Sequence, residues 1–333
     1  MKHYPLLYHE REPLAPFPSA RAPRPDMPRV EILMALFDGE RFLGQQLESL
    51  ARQSHRAWSL SIRDDGSRDN GPAIARAFAT TMPGRAIQVR TGAHLGAARN
   101  FLALIKASDP GADFLAFCDQ DDVWHPGKLA RAIDSLSALP EGLPALYCGP
   151  TIVTDAGLFP IGRSPEFRRP PAFENALVQS IAGGNTMVIN RAAADILQIA
   201  AGYRGPIPAH DWWTYQVITG VGGVVLRDDH PMVLYRQHGR NLIGSNAGTL
   251  ARLARLRALA RGQLARWSDQ NIAALTAISP LLTPRNRALV EEFAALRAQP
   301  VRDRLRRLAA SGIHRQTRGG QAALLAAAAL SRI

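Results

Sequence analysis

The chain reads as an α/β protein built on a mostly parallel sheet, and three observations predict it. Short apolar runs alternate with amphipathic runs from residue 30 to residue 137, the pattern of βαβ units with right-handed crossovers. Two of the apolar runs drive straight into carboxylates, at Asp64-Asp65 and at Asp119-Gln120-Asp121-Asp122. Open α/β sheets bind ligands outside the carboxyl ends of their strands, so acids at those ends mark a rim for chemistry. After residue 250 the composition turns to Ala, Leu and Arg, which predicts helices appended to the sheet.

The elements follow in order. Residues 1–28 hold many prolines with interspersed Arg and no periodicity, predicting a loosely docked extension that is dispensable for chemistry. Strands are predicted at 30–37, 58–63, 86–90 and 113–118, and helices at 41–53, 71–79, 97–107 and 126–137. In the first helix Phe42, Leu43, Leu47 and Leu50 fall on one face. Beyond 140 the predicted order is looser: strands near 145–149, 185–190 and 223–227, with helices near 191–200 and 211–219. This half is expected to complete the sheet, with the Pro- and Arg-rich stretch 155–175 as a candidate mobile lid. Leu253, Leu256, Ala260, Leu264 and Trp267 recur at helical spacing beside Arg252, Arg255 and Arg261, predicting an amphipathic helix that packs on the core or rests on a membrane surface. The boundaries drawn are 1–28, 29–247 and 248–333.

At 333 residues and 46% hydrophobic content the chain holds one large α/β domain plus a smaller appendage. Cys118 and Cys148 lie in apolar runs and read as reduced core thiols in a reducing compartment. No window approaches the roughly 18 apolar residues of a spanning helix, and the first residues lack the pattern of a secretion signal. The expected location is cytoplasmic, with peripheral contact at the inner face of the plasma membrane left open. The net charge is +12, and residues 251–333 carry 15 Arg against 4 Asp and Glu, while 29–250 are balanced. The basic character therefore belongs to the tail, whose natural partner is an anionic lipid surface. Nucleic acid is disfavoured, because the tail has neither aromatic interleaving nor a nucleic-acid module.

The acids admit two readings. Carboxylates one residue apart supply hard oxygen ligands for Mg²⁺ or Mn²⁺ carrying a diphosphate; alternatively, Asp-rich turns simply follow strands. Asp64 and Asp65 are acceptors suited to a base N–H or a ribose hydroxyl, or members of an Asx turn, and Asp69 reads as a helix N-cap.

The run Val30 to Gly39, then Asp64-Asp65-Gly66-Ser67, then Asp119-Gln120-Asp121-Asp122 with Trp124, Pro126 and Lys128-Leu129, resembles family 2 glycosyltransferases of GT-A fold. The resemblance continues through Gly183-Gly184-Asn185, His210-Asp211-Trp212-Trp213 and Tyr235-Arg236-Gln237-His238, covers about residues 29–245, and within the family is most similar to bacterial rhamnosyltransferases. One departure is Leu36-Phe37-Asp38-Gly39, where relatives have Thr-Tyr-Asn-Gly.

What the resemblance implies is an inverting, metal-dependent transfer of a sugar, L-rhamnose from dTDP-rhamnose, to a cell-envelope glycan or lipid-linked acceptor. Asp211 would be the catalytic base, with Trp212 and Trp213 as apolar walls that raise its pKa and offer sugar rings a face. Asp119, Asp121 and His238 would hold the divalent cation, with Asp122 a further acidic candidate. Phe37, Asp64, Asp65, Gly96, Asp119, Gly183, Gly184 and Asn185 would contact the nucleotide sugar, and Arg236 and Arg240 its phosphates. A nucleotidyltransferase of similar fold, a glycan-binding non-enzymatic homologue and a two-carboxylate glycoside hydrolase are the competing readings. The first needs a basic, Gly-rich loop after strand one, where this chain has Phe37-Asp38-Gly39-Glu40.

Overall fold

The computed structural model describes residues 27–239 and 262–333. The extension at 1–26 and the predicted stripe through Leu253, Leu256 and Ala260, with Arg240, Arg252, Arg255 and Arg261, lie outside the described residues.

The first half alternates as expected: β1 Val30–Leu36, α1 Glu40–Ala51, β2 Trp58–Asp64, α2 Gly71–Thr81, β3 Ile87–Thr91, α3 Ala97–Lys106, β4 Phe114–Cys118, β5 Val123–Trp124 and α4 Lys128–Ser137. The second half adds β6 Ala145–Cys148, β7 Ile152–Thr154, β8 Pro160–Arg163, α5 Phe173–Ala176, β9 Val188–Asn190, α6 Arg191–Ala200, α7 His210–Gly220, β10 Val224–Arg227 and β11 Val233–Arg236. Four helices close the chain: α8 Gln263–Ala277, α9 Pro284–Arg297, α10 Val301–Ala310 and α11 Arg318–Ala329.

The main sheet has the order β10-β6-β9-β4-β1-β2-β3. All pairs are parallel except those of β9, which runs antiparallel to β4 and β6. β1 and β4 are buried on both faces, as strands covered by helices on each side must be. On one side α1 buries Phe42, Leu43, Leu47 and Leu50, each worth roughly 1.5–3 kcal/mol. Asn190 fixes the reversed strand: its Oδ1 accepts from the N–H groups of Ala145 and Ala193, and its Nδ2 donates to Leu143 O.

The stretch 155–175, expected as a lid, contains β8 and opens into α5. β8 pairs with β7, and the second sheet, β5-β11-β7-β8, lies beside the acidic turn. Its strands have two to four residues each, too short for alternation to reveal them.

The closing helices pack on the α/β part of the chain. Leu264, Leu275, Phe293, Leu308 and Leu324 belong to the same buried cluster as Val217, Ile218 and Phe173. Polar ties reinforce the contact: Asn286 Nδ2 donates to Thr219 O and Gly220 O, and Asn175 Nδ2 donates to His314 O. Among the described residues no helix is long and apolar enough to cross a membrane. Cys118 and Cys148 are free and buried.

Candidate active site

Strands β1, β2 and β4 deliver Phe37, Asp65 and Asp119 to one rim of the sheet, and the reversal of β9 brings the preceding turn, Gly183–Thr186, to that same rim. Phe37 is exposed, and its ring lies 4.7 Å from that of His94, so two aromatic faces stand together at the edge of the sheet. The amide of Gln120 holds Phe37 in place: Phe37 N–H donates to Oε1 at 2.8 Å and Nε2 donates to Phe37 O at 2.9 Å. This clamp was invisible in the sequence, where Gln120 read as a spacer between acids.

Asp65 is buried, and its carboxylate accepts from the N–H groups of Leu95 and Gly96 and from Arg63 Nη1, each at 2.8 Å. His94 Nδ1 stands 3.1 Å from Oδ2. The carboxylate thereby shapes the loop into α3, where Gly96 adopts a φ of 79° that a side chain would strain. Asp64 is buried and accepts from Ser67 N–H at 3.0 Å, the Asx-type turn. Asn70 occupies the cap position of α2, and the Asp69 carboxylate beside it accepts from Gly71 N–H and Glu40 N–H, the first residues of α2 and α1.

The acidic turn after β4 meets the end of β11. His238 Nε2 lies 2.7 Å from Asp121 Oδ2, and His238 also packs against the ring of Phe42 at 4.9 Å. Asp119 is held well above the usual carboxylate range by burial, then by the neighbouring charges of Asp122, Asp121 and Asp211. Asp122 is fully buried and pushed up to about 7 by burial and then Asp121, against the pull of Asn185 and Arg236. Lys128, also buried, rests its ammonium 3.5 Å over Trp124 and is lowered to about 7 by burial, with Cys118 and Asp122 opposing that fall.

These groups fit a divalent cation. Crowded carboxylates raise one another's proton affinity, and an added positive charge relieves that repulsion. Among the described residues no three His, Cys, Asp or Glu side chains converge on one point. Asp121 and His238, with Asp119 beside them, would hold the ion, with donor diphosphate and water completing its shell, as Mg²⁺ commonly prefers.

Arg236, expected at the phosphates, is buried. Its Nε donates to Asp121 O at 2.8 Å, Nη1 to Ala156 O and Nη2 to Gln45 Oε1, both at 2.5 Å, so it braces the turn because backbone carbonyls enclose it.

Asp211 lies in the first turn of α7, one residue inside the helix; Ala209 occupies the cap. Its carboxyl is raised to about 6 by burial, while the N–H groups of Trp212 and Gly184 partly hold it down. Trp212 and Trp213 are core residues: they are 6% and 1% exposed, and Trp212 Nε1 donates to Ala176 O. They offer no face to a sugar, because α7 is buried on nearly every side. The structure adds His210, which is stacked on Phe101 with centroids 3.7 Å apart and lowered to about 3 by burial. A Cβ at Gly184 would collide with His210 Nε2, and one at Gly183 would stand 2.8 Å from Asn185 Oδ1. These glycines thus make room for protein side chains. His210 was legible only as the neighbour of Asp211.

A doubly covered sheet with one antiparallel strand, carrying an acidic turn and the partly buried Asp211 at one rim, is the arrangement of a GT-A glycosyltransferase. Residues 31–194 match the family model of glycosyl transferase family 2. The chain is 28% identical over 232 residues to dTDP-rhamnosyl transferase RfbG of Shigella flexneri, covering 67% of this chain and 78% of that protein. In fold it is similar to TarS 1-349 of S. aureus in complex with UDP-GlcNAc, with a TM-score of 0.50, 16% identity and coverage of 86% of this chain and 88% of that one. A further crystal structure of TarS 1-349 gives a TM-score of 0.51 at 13% identity, with the same coverage of both chains.

Proposed function

We propose that this glycosyltransferase moves a sugar from a nucleoside diphosphate to an acceptor hydroxyl with inversion, and that a divalent cation supports the reaction. The observation that carries the reading is Asp211, a carboxylate raised to about 6 whose charge is felt by Asp119 across the rim. A base of that affinity accepts the acceptor's hydroxyl proton near neutrality. The hydroxyl oxygen bonds to the anomeric carbon from the face opposite the leaving group, the glycosidic C–O bond breaks, and its electron pair departs with the diphosphate. One displacement inverts the centre. A cation held by Asp121 and His238 would neutralise the charge of the departing diphosphate.

Phe37 and His94 would flank the base, while Asp65 acts on the nucleotide through the loop it shapes. Asp64 and Gly96 serve the same wall, and the turn entering β9 would approach the donor sugar through the exposed Gly183, with Gly184 and Asn185 buried behind it. The donor is dTDP-L-rhamnose, a reading supported by the likeness to RfbG, and the acceptor a cell-envelope glycan or lipid-linked sugar. Residues 29–247 would be the transferase domain and 248–333 a helical region. Its exposed Arg302, Arg306 and Arg318, with Leu325 and Leu330, would meet an anionic membrane at the cytoplasmic face. The nucleotidyltransferase reading is weakened by the loop after β1, whose acids Asp38 and Glu40 accept from Arg68 N–H and Asn70 N–H rather than leaving a basic cradle.

The test is a panel of nucleotide sugars with and without Mn²⁺, scored for hydrolysis and for transfer. Turnover of dTDP-rhamnose that needs Mn²⁺ is the expected result. Metal-independent turnover of another donor removes both the cation and rhamnose from the reading.

A further inference from the structure

Asp122 stands at the centre of the acidic turn with a task unlike that of its neighbours. Its side chain is 0% exposed, and each carboxylate oxygen is taken by a different part of the chain. Oδ2 accepts from Asn185 Nδ2 at 2.5 Å, and Oδ1 accepts from the backbone N–H of Arg236 at 3.1 Å. Asn185 is itself 2% exposed and sits in the turn that enters β9. Arg236 is the last residue of β11, two positions before His238. The same arginine reaches back to Asp121 O through Nε, so β11 is hooked to the acidic turn at two successive residues.

We infer that Asp122 is a positioning residue: it fastens the turn 183–186 and the strand carrying His238 to the segment that holds Asp121. The proposal rests on the donor-site reading above. Three separate stretches of chain meet at this one carboxylate, and each of its oxygens accepts from a different one of them at a point shielded from solvent. Buried hydrogen bonds between distant segments set geometry because an unmet partner in such a place is costly. Movement of either hooked element would shift the donor turn relative to the Asp121 and His238 pair.

Reversing the polarity of the contact tests this. Asn185→Asp sets two carboxylates face to face; Asp122→Asn with Asn185→Asp restores one donor and one acceptor, since the new amide can accept from Arg236 N–H and donate to residue 185. With dTDP and Mn²⁺ as probes, Asn185→Asp is expected to weaken binding by about tenfold, and the double variant to return within about threefold of the parent, as contacting residues couple. A double variant no tighter than Asn185→Asp overturns the proposal. Should Asn185→Asp not fold, Asp122→Asn alone decides: Mn²⁺ still strengthens dTDP binding if Asp122 positions, and fails to do so if Asp122 is a ligand. A parent chain that binds none of dTDP, UDP or GDP in Mn²⁺ overturns the donor-site reading and the positional role with it, which is distinct from a parent that binds while the cycle shows no coupling.

Discussion

His238 Nε2 and Asp121 Oδ2 stand 2.7 Å apart although 117 residues separate them in the chain. The pairing joins the end of β11 to the turn after β4, and it puts an imidazole nitrogen and a carboxylate oxygen at one point. Asp121→Asn keeps the shape and removes the charge. It is expected to abolish the strengthening of dTDP binding by Mn²⁺ in calorimetry, while leaving the chain folded. Unchanged metal-dependent affinity would place the cation elsewhere.

Asp211→Asn should separate binding from turnover. Nucleotide and metal bind as in the parent, and transfer falls by on the order of 10² to 10⁴. Donor affinity and turnover measured on one preparation distinguish the cases, and retained turnover would leave Asp211 with only a structural place in α7.

The raised carboxyl of Asp211 also sets a pH dependence. Its folded value of about 6 exceeds the unfolded value of about 3.9, so between these the folded chain keeps a proton that the unfolded chain has released. Stability therefore falls as pH rises through that window, by about 1–2 kcal/mol after allowing for partial exposure. Activity runs the opposite way, rising with pH through about 6 as the base ionises. Melting curves at pH 4 and pH 7 should show this contribution in the parent and its loss in Asp211→Asn.

Gly184→Ala drives a methyl group into His210 Nε2. Overpacking of this kind costs about 1–3 kcal/mol, read by denaturant unfolding. Adding His210→Ala should recover part of the loss, because it removes the atom that is struck; a double variant less stable than the sum of its singles would show that another group limits position 184.

The exposed arginines of the closing helices have their own test. Changing Arg302, Arg306 and Arg318 to Glu is expected to leave dTDP binding intact and to reduce co-sedimentation with phosphatidylglycerol vesicles. Each basic residue at such a surface contributes about 1 kcal/mol. A parent that does not sediment with these vesicles, or a triple variant that sediments equally, removes the membrane from the mechanism.

The main sheet was legible because its strands and helices are long enough for periodicity to show: β1, β2 and β4 and the helices between them fall within a residue or two of their predicted bounds. The second sheet was not, since Ile152–Thr154 and Pro160–Arg163 become strands only through pairing with distant partners. The site divides the same way. Asp119 and Asp121 could be picked out as carboxylates at a strand end, and Asp211 through the resemblance of its His-Asp-Trp-Trp run. The Gln120 clamp on Phe37, the solvent-shielded Trp212 and Trp213, and the enclosure of Arg236 follow from neighbours more than 30 residues away, which no local pattern encodes.

The short strand β9 runs against its neighbours, so its two ends serve opposite poles of the molecule. Asn190 anchors one end among Leu143, Ala145 and Ala193, while the other end hands Asn185 to Asp122. A strand's side chains alternate with period two, and a slip of one place inverts them all. Asn190 thus acts as an index pin: by fixing the phase of the strand at one pole, it sets which way the turn carrying Asn185 faces at the other.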